Sequence, residues 1–310
     1  MTSRIATLTL NPAIDASAET EAVRPTHKTR TFDERMDPGG GGINVARVLQ
    51  RFGAPVHAIF LAGGITGRVL DDLLRRAGVE RTLIAVDGET RMSLTVHERS
   101  TGLEYRFVPD GPELAEHEWQ AALDEVEALE CDYLVASGSL PDGVPVDFYG
   151  RVCTMLSGRP IRFIVDTSGP ALREALACGQ VFLIKPSQSE LEQFADRALP
   201  SRDDLIEVAS SIVERGQAEN VAVTLGSEGA LLVNRDGANW MPAIEVDTRS
   251  AVGAGDSFVA AMTYGFATGL NAQAALRLGM AAGAATALTP GTDLCHPADV
   301  RRLLGEVETA

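Results

Sequence analysis

The sequence predicts an α/β fold in which a mostly parallel sheet is covered by helices on both faces. Short apolar runs, such as residues 5–10 and 181–184, are typical of buried strands. Helical periodicity returns between these runs, and Gly53 and Gly78 each follow the end of a predicted helix. Repeated strand–helix–strand units require parallel strands, which are buried on both faces.

The predicted elements alternate along the chain. Strands are predicted over residues 5–10, 56–61, 133–136, 161–165, 181–184 and 221–225, and helices over residues 43–52, 67–77, 113–130, 147–156, 203–215, 256–268 and 272–288. Two segments do not fit this order. Residues 16–36 are polar, and residues 90–109 alternate in polarity around a turn at 100–102, as in a half-exposed hairpin. We expect both to form one small β lid, interleaved with a single domain that spans residues 1–310.

Composition and charge exclude several classes of protein. With 310 residues, 45% of them hydrophobic, the chain can build a full core. A formal charge of −16 argues against binding along a nucleic acid or an anionic membrane, so any bound phosphate must be held locally. No run of 18 apolar residues and no signal peptide is found, so a cytoplasmic protein is expected. The four cysteines are widely spaced, which predicts reduced thiols and no zinc site.

Basic residues are unevenly divided between the two types. Of the 27 basic side chains, 25 are arginine, and only Lys28 and Lys185 are lysine. A compact, flexible ammonium differs from a planar guanidinium in what it can contact. We therefore take the two lysines as candidate functional groups.

The first glycine cluster is PGGGGIN, residues 38–44, which leads directly into a predicted helix. Ligands of open parallel sheets lie beyond the carboxyl ends of the strands, and glycines there let a ligand approach backbone N–H groups at a helix start. The cluster is neither the G-x-G-x-x-G fingerprint of dinucleotide sites nor a Walker loop, because the required later residues are missing. The alternative is a merely flexible turn.

The second glycine cluster is AVGAGDSF, residues 251–258, which also opens a helix. The amides of Gly253, Ala254 and Gly255 can hold an anion while Asp256 points to the same place. The alternative is that Asp256 only caps the helix, but capping does not explain the small residues before it.

Charged side chains follow two further strands. Lys185 and Glu190 lie in LIKPSQSE, and Asp166 lies in VDTSG. Two carboxylates near a lysine suit Mg²⁺ and a polyphosphate, because Mg²⁺ is usually held by one or two carboxylates together with waters and phosphates. Each carboxylate alone is equally typical of a loop or a helix cap.

Six motifs in order, covering nearly the whole chain, resemble the ribokinase-like (PfkB) sugar kinases: TLTLNPAID, PGGGGINVAR, SGSLPDG, KPSQSEL, TLGSEGAL and AVGAGDS. The opening motif resembles the phosphosugar branch, and DPGGGGINVAR is most similar to its minor-isozyme type of ATP-dependent 6-phosphofructokinase. The resemblance implies a three-layer α/β/α sandwich and a β lid that also forms a homodimer contact. It implies ATP and Mg²⁺ as co-substrate and metal, and phosphorylation of fructose 6-phosphate at its 1-hydroxyl in glycolysis.

The resemblance also implies a role for each matching residue. Asp256 would be the base, with the amides of Gly253, Ala254 and Gly255 around the transferred phosphoryl group. The implied sugar-phosphate ligands are Asp15, Lys28, Arg30, Gly40, Gly41, Asn44, Arg91 and Ser139. The implied nucleotide-side residues are Lys185, Ser187, Thr224, Gly226 and Gly229, and the implied metal-side residues are Asp166 and Glu190.

Four positions depart from the family pattern. Ser187 replaces the asparagine of N-x-x-E, which predicts altered metal use, and Ala251 replaces a usual threonine. Ser189 stands where the minor 6-phosphofructokinase has a lysine tied to inhibitory ATP binding, so inhibition by a second ATP is not expected. A monovalent cation site is implied around Ser250, Val252, Gly291 and Asp293, but Asp293 stands where the relative has arginine, so K⁺ dependence is not expected.

Three other functions stay open at this point. Within the kinases, the acceptor is alternatively fructose 1-phosphate or tagatose 6-phosphate. A nicotinamide oxidoreductase shares the sheet architecture but needs a G-x-G-x-x-G motif after the first strand, which is absent. A non-catalytic sugar-phosphate sensor is the third alternative, suggested by Ser187 and Ala251 and opposed by Asp256, Glu190 and Lys185.

Overall fold

The structure, a computed structural model, describes residues 3–309, so the predicted domain of 1–310 has residues 1, 2 and 310 outside the described part. The strands are β1 (Ile5–Thr9), β2 (Ala13–Thr20), β3 (Phe32–Gly39), β4 (Val56–Gly63), β5 (Glu80–Val86), β6 (Arg91–Glu98), β7 (Glu104–Phe107), β8 (Tyr133–Ser137), β9 (Arg162–Asp166), β10 (Val181–Ile184), β11 (Ala218–Thr224), β12 (Ala230–Asn234) and β13 (Gly237–Met241). The helices are α1 (Gly41–Arg51), α2 (Gly64–Arg76), α3 (Glu116–Ala128), α4 (Phe148–Met155), α5 (Gly169–Ala177), α6 (Gln188–Ala195), α7 (Arg202–Glu214), α8 (Ala254–Ala267), α9 (Ala272–Ala287) and α10 (Pro297–Thr309).

Nine strands form the central sheet, in the order β13-β12-β11-β10-β9-β8-β1-β4-β5. The seven strands from β11 to β5 pair in parallel, while β12 and β13 add an antiparallel edge. Because parallel strands end on the same side, the loops after β1, β8, β9 and β10 meet at one edge of the sheet.

Helices cover both faces of this sheet, so the predicted mostly parallel α/β fold with three layers is confirmed. One hydrophobic cluster contains residues of α1, α2, α8, α9 and α10, and the other contains residues of α3 to α7. Successive residues of one strand belong to opposite clusters. Tyr133 and Val135 pack on the first side, whereas Leu134 and Ala136 pack on the second. The central strands are therefore buried on both faces and mainly apolar, which is why they were recognisable as short apolar runs.

A second, four-stranded sheet, called the small sheet below, has the order β3-β2-β6-β7. Its two outer pairs are antiparallel and its central pair, β2 with β6, is parallel. These strands lie in or overlap the segments 16–36 and 90–109 that the sequence set apart from the central sheet. That the small sheet acts as a lid stays a prediction.

The small sheet is organised around the buried carboxylate of Glu98, a residue that is only 5% exposed. It accepts hydrogen bonds from the hydroxyls of Tyr105 (2.8 Å), Ser100 (2.8 Å) and Thr101 (3.0 Å) and from the backbone N–H of Val23 (3.1 Å). These donors, first of all Tyr105, lower the pKa of Glu98 to about 2. One side chain thus fixes both the turn between β6 and β7 and the start of the β2–β3 loop.

Several elements were not predicted, and their sequences explain why. The edge strand β5 is half exposed and carries polar residues, so it lacks the continuous apolar run of the inner strands. The helices α5 and α6 are short, with 9 and 8 residues, and offer too few turns for a clear period. The β12–β13 hairpin and α10 were also missed.

The prediction that all four cysteines are free thiols is wrong for two of them. Cys153 in α4 and Cys178 after α5 form a disulfide, with Cα atoms 6.2 Å apart and a sequence separation of 25. The two helices pack side by side, so the fold brings together residues whose spacing carries no motif. Cys131 and Cys295 are free. Among the described helices, none combines the length and apolar character needed to cross a bilayer.

We expect Glu98→Gln to loosen the small sheet, because one carboxylate oxygen is replaced by an amide group that cannot accept a hydrogen bond. Native-state hydrogen exchange should become faster at the amides of Val23 and Gly102, while the central sheet keeps its protection. In the wild type the same loosening should appear as the pH falls from 4.5 toward 2, since the folded state then loses the ionised carboxylate. The exposed Glu127→Gln is the control, and equal exchange in the two variants would contradict the assignment.

Candidate active site

A polar cavity of about 360 Å³ lies at the carboxyl ends of the parallel strands, between them and the small sheet. It brings together twelve of the residues singled out from the sequence: Asp15, Gly40, Gly41, Asn44, Arg91, Ser139, Asp166, Lys185, Glu190, Gly253, Gly255 and Asp256. These residues come from seven separate stretches of the chain, and the fold places them around one space.

Asp256 lies in the first turn of α8, where the helix begins after Gly253. Its Oδ2 accepts a hydrogen bond of 2.8 Å from the side-chain amide of Asn44 on α1. Burial raises the pKa of Asp256 to about 7, and repulsion from Asp166 adds to this, while Asn44 and Lys185 act in the opposite direction. A carboxylate that titrates near neutral pH is suited to accept and release a proton.

The four-glycine run allows two close approaches beside Asp256. A Cβ at Gly39 would lie 2.0 Å from the carboxylate of Asp15, and a Cβ at Gly41 would lie 2.2 Å from the Oγ of Ser137. The run is therefore more than a flexible turn, because it makes room for side chains of the cavity. Burial raises the pKa of Asp15, opposed by Arg47 and Arg91.

Lys185 follows β10 and forms a buried ion pair with Asp166, with 3.3 Å between Nζ and Oδ1. Burial alone would lower the pKa of the ammonium, but the nearby carboxylates Asp166 and Glu190 outweigh it, and the pKa is raised. Lys185 is therefore a fixed positive charge at the cavity wall. Asp166 also accepts a hydrogen bond of 3.3 Å from the hydroxyl of Ser137.

The amides at the start of α8 differ in what they can offer to an anion. The N–H of Ala254 donates to the carbonyl of Ala251 at 3.3 Å, and Ala254 lines a different cavity from Asp256. Gly253 and Gly255 line the polar cavity. The predicted anion site is thus best formed by the glycines on either side of Ala254, at the N-terminus of a helix, where anions bind favourably.

A second, mainly apolar cavity of about 600 Å³ adjoins the first. Its walls include the predicted residues Thr224, Gly226, Gly229 and Ala254, together with apolar side chains such as Phe258. Gly255 lines both cavities. Two molecules bound in the two spaces would meet beside Asp256.

Asp166 and Glu190 fit a metal ion that brings other ligands with it. Among residues 3–309, no three His, Cys, Asp or Glu side chains converge as a metal cage. The Oε2 of Glu190 accepts the N–H of Ser187 at 2.7 Å, and Asp166 is paired with Lys185. Two carboxylates beside an anion site suit Mg²⁺ that arrives with phosphates and waters.

Three predicted residues lie outside both cavities. Lys28 and Arg30 are exposed in the loop between β2 and β3. Ser187 caps α6: its Oγ accepts the N–H of Glu190 at 3.3 Å, which completes a capping box with the bond from Ser187 N–H to Glu190. The capping alternative considered for Glu190 is therefore realised, and the serine in place of asparagine serves this helix start.

Arg91 lines the cavity but also holds the base of the small sheet. Its guanidinium donates to the carbonyls of Pro109 (2.9 Å), Asn11 (2.9 Å) and, more weakly, Pro12 (3.4 Å). These residues lie where the chain enters β2 and leaves β7. Because a guanidinium has five N–H groups, Arg91 keeps donors for a ligand.

The sequence did not single out several other residues that line the polar cavity, among them Ser93, Arg106 and Thr292. Arg106 lies on β7, and its place in the alternating pattern of the hairpin is the signal that would have put it on one face with Arg91. Thr292 lies in a loop after α9, where no periodic pattern in the sequence predicts which way a side chain points.

The loops around Ser250 and Asp293, where the resemblance implies a monovalent cation site, are held in place by hydrogen bonds and an ion pair within the protein. The carboxylate of Asp293 pairs with Arg51 at 2.8 Å and accepts the N–H of Leu294 at 2.8 Å. The hydroxyl of Ser250 donates to Glu104 of the small sheet at 3.1 Å. The aspartate at position 293 therefore joins α1 to the loop after α9.

Comparison with known proteins places this geometry among kinases. Residues 8–299 match the model of the pfkB family of carbohydrate kinases. The chain is 44% identical over 301 residues to the ATP-dependent 6-phosphofructokinase isozyme 2 of Mycobacterium tuberculosis, covering 96% of this chain and 88% of the relative. It is 40% identical to the Escherichia coli enzyme of the same name over 301 residues, covering 97% of each chain.

Solved structures of the Escherichia coli phosphofructokinase-2 are similar over the whole chain. The complex with potassium has a TM-score of 0.94 at 39% identity, and the complex with fructose-6-phosphate a TM-score of 0.93 at 38% identity. Both comparisons cover 99% of each chain. The predicted ribokinase-like fold is thereby confirmed.

We expect Asp256→Asn to stabilise the protein above neutral pH. The folded-state pKa of about 7 exceeds the ordinary 3.8, so stability falls as the pH rises through this window. The substitution should raise the free energy of unfolding by about 1–4 kcal/mol at pH 8 and by less than half of that at pH 5, which lies within the window between the two pKa values. Urea denaturation at both pH values measures this, with the exposed Asp236→Asn as control. The same pH dependence in both variants would show that Asp256 titrates normally.

Proposed function

The chain belongs to the pfkB family of carbohydrate kinases, and on that premise we propose that it transfers the γ-phosphoryl group of ATP to the 1-hydroxyl of fructose 6-phosphate. The product is fructose 1,6-bisphosphate, as in a step of glycolysis. The names of its relatives and the whole-chain similarity to a structure with fructose-6-phosphate support this acceptor. A cytoplasmic location stays a prediction from the sequence.

The junction of the two cavities at Gly255 is the observation that carries the proposal. A polar cavity suits a sugar phosphate, and an adjoining apolar cavity suits the base and ribose of a nucleotide. Asp256 stands at the junction, at the N-terminus of a helix. This arrangement brings an acceptor hydroxyl and a donor phosphate within reach of one base and one anion site.

In the proposed mechanism, Asp256 accepts the proton of the 1-hydroxyl while the hydroxyl oxygen attacks the γ-phosphorus and the bond to ADP breaks. The amides of Gly253 and Gly255 stabilise the charge that spreads over the transferred oxygens. Lys185 adds a fixed positive charge from the wall of the cavity. Positioning and charge stabilisation supply most of the acceleration in phosphoryl transfer.

On the acceptor side, Asp15, Asn44, Gly40 and Gly41 bind the sugar hydroxyls. Arg91 and Arg106 on the small sheet, with Ser139 opposite, bind the phosphate that the sugar already carries. Because the protein carries a net charge of −16, it needs such a local cluster of positive charge to bind a phosphate.

On the donor side, Thr224, Gly226 and Gly229 face the nucleotide, and Ser187 acts through the helix start that orients Glu190. Asp166 and Glu190 would hold Mg²⁺ together with the phosphates of ATP. When bound, the metal neutralises charge on the phosphates during transfer.

We propose a homodimer that forms through the small sheet. Its strands expose large apolar side chains, with Met36 56%, Leu94 41% and Phe107 60% exposed. Such a patch marks an interaction surface more often than free surface. Lys28 and Arg30 lie on a loop of the same sheet, so they would be close to this contact and not to the cavity of their own chain.

The alternatives predict different measurements. A kinase for fructose 1-phosphate or tagatose 6-phosphate would prefer that sugar in kcat/KM at fixed ATP. A sugar-phosphate sensor would show ligand-dependent thermal shifts without ATP turnover. The raised pKa of Asp256 beside an anion site favours catalysis over sensing.

We expect purified protein with ATP and Mg²⁺ to convert fructose 6-phosphate to the bisphosphate, with kcat/KM falling as the pH drops below about 7. The fall follows from protonation of Asp256, whose pKa is about 7. Asp256→Asn should lower kcat by about 10²–10⁴-fold, the usual contribution of a general base. A coupled assay across about pH 5.5–9 measures both effects. Activity retained in this variant would remove Asp256 as the base.

We expect Arg106→Met to raise KM for fructose 6-phosphate by about 10–100-fold, because a charged hydrogen bond to phosphate is lost. The value of kcat should change much less. The exposed Arg235→Met, in the β12–β13 turn, is the control. An unchanged KM in Arg106→Met would place the sugar phosphate elsewhere.

A further inference from the structure

Arg47 is a buried arginine that touches neither proposed substrate but holds the partner of the base. It lies on α1 and is 5% exposed. Its guanidinium donates to the carbonyl of Pro38 (2.8 Å), to Oδ1 of Asp37 (3.0 Å) and to Oδ1 of Asn44 (3.1 Å). A fully buried cation with three acceptors is held in one orientation.

The contact with Arg47 fixes which way the amide of Asn44 points. Because the guanidinium can only donate, it must face the amide oxygen. The amide NH₂ then points to Oδ2 of Asp256, at 2.8 Å. A flipped amide would place NH₂ against the guanidinium and oxygen against the carboxylate, so both contacts would be repulsive.

The other end of Arg47 is anchored in the small sheet. Asp37 lies on β3 opposite Asp15 of β2, and its Oδ2 accepts a hydrogen bond of 2.8 Å from Thr292. A continuous chain of side-chain contacts therefore runs from β3 through Arg47 and Asn44 to Asp256. Each link is a hydrogen bond between groups of opposite donor and acceptor character.

We propose that Arg47 is a positioning residue: it orients the amide of Asn44 and, through the hydrogen bond of that amide, holds the carboxylate of Asp256 in place to face the acceptor hydroxyl. The inference rests on the proposed kinase activity of this site. Because Asp37 lies on β3 and holds Arg47, the orientation of Asp256 then also depends on the position of β3.

Other charged groups also act on Asp256 and Arg47, and a test variant should leave their net charge unchanged. Asp256 faces Asp166, Lys185 and Asp15, and the field at Arg47 includes Asp37, Asp293, Arg51 and Asp15. Removing Arg47 alone would leave the partly buried Asp37 without its cation. The double variant Asp37→Asn/Arg47→Met removes the pair together and is the main test variant.

We expect the double variant to move the acidic limb of kcat/KM to higher pH by about one unit, since the Asn44 hydrogen bond lowers the pKa of Asp256. At pH 7 kcat should fall about fivefold, with recovery toward pH 9, and KM for ATP should stay within about twofold. Arg47→Lys, which keeps the charge and some donors, should lie between the wild type and the double variant.

Two further measurements separate positioning from a general loss of structure. Arg81→Met removes another arginine ion pair, the one with Asp71 between β5 and α2, and should lower stability without moving the pH profile. The pKa of the Asp256 carboxyl, read by NMR as the signal missing in Asp256→Asn, should rise by about one unit in the double variant. This reading needs no substrate, so it stands even where the sugar assay shows no turnover.

An unchanged Asp256 pKa, or a loss of activity equal at all pH values, would overturn the proposal. If the double variant does not fold, the same comparison is made with Arg47→Lys, and an unchanged pKa there would overturn it equally.

Discussion

Three carboxylates, Asp15, Asp166 and Asp256, converge on one partly desolvated cavity, and the surrounding structure is arranged to limit their repulsion. Each has a different partner. Lys185 pairs with Asp166, Arg47 and Arg91 oppose the burial of Asp15, and the amide of Asn44 donates to Asp256. Asp256 has the Asn44 amide as its partner, and burial raises its pKa to about 7, while burial also raises the pKa values of Asp15 and Asp166. A buried carboxylate with a pKa close to neutral, beside groups of fixed positive charge, is suited to general base catalysis.

The choice between arginine and lysine follows from the geometry at each place. Arg47 and Arg91 each donate to three acceptors, which the five donors of a rigid planar fork reach over a wider span than the three donors of an ammonium. Lys185 instead forms one buried ion pair, with Asp166, beside Gly255. One of the two lysines of the chain thus has a place in the cavity. The other, Lys28, lies outside the cavity of its own chain and depends on the proposed dimer for a role.

The sequence was sufficient where structure follows from local pattern. The inner strands and α1, α8 and α9 were found because apolar runs and glycine-led helix starts are local signals. Asp166, Lys185 and Glu190 were placed because they lie at or after the ends of parallel strands, and the glycine clusters and the family motifs named the other site residues. What could not be predicted depends on contacts between distant segments. In the sequence, Arg47 is one more arginine of a predicted helix. The contacts of Arg91 with backbone carbonyls form only when the chain entering β2 and the chain leaving β7 come together. The Cys153–Cys178 disulfide forms only because α4 packs on α5.

The burial that raises the pKa of Asp256 lowers the stability of the folded protein at neutral pH and above, and it also makes the carboxylate a better base. A carboxylate with ordinary solvation would be ionised at pH 7 but would be a weak base, whereas burial raises its basicity to match the pH at which it works. The same burial disfavours the ionised form, so the site needs the Asn44 amide to keep it accessible. A direct cation on Asp256 would restore ionisation but lower its basicity, as the lysine does for Asp166. A neutral donor oriented by a buried cation therefore satisfies both requirements: the charge of Arg47 fixes the orientation of the amide, and the amide hydrogen bond lowers the pKa of Asp256 more than the nearby Lys185 does.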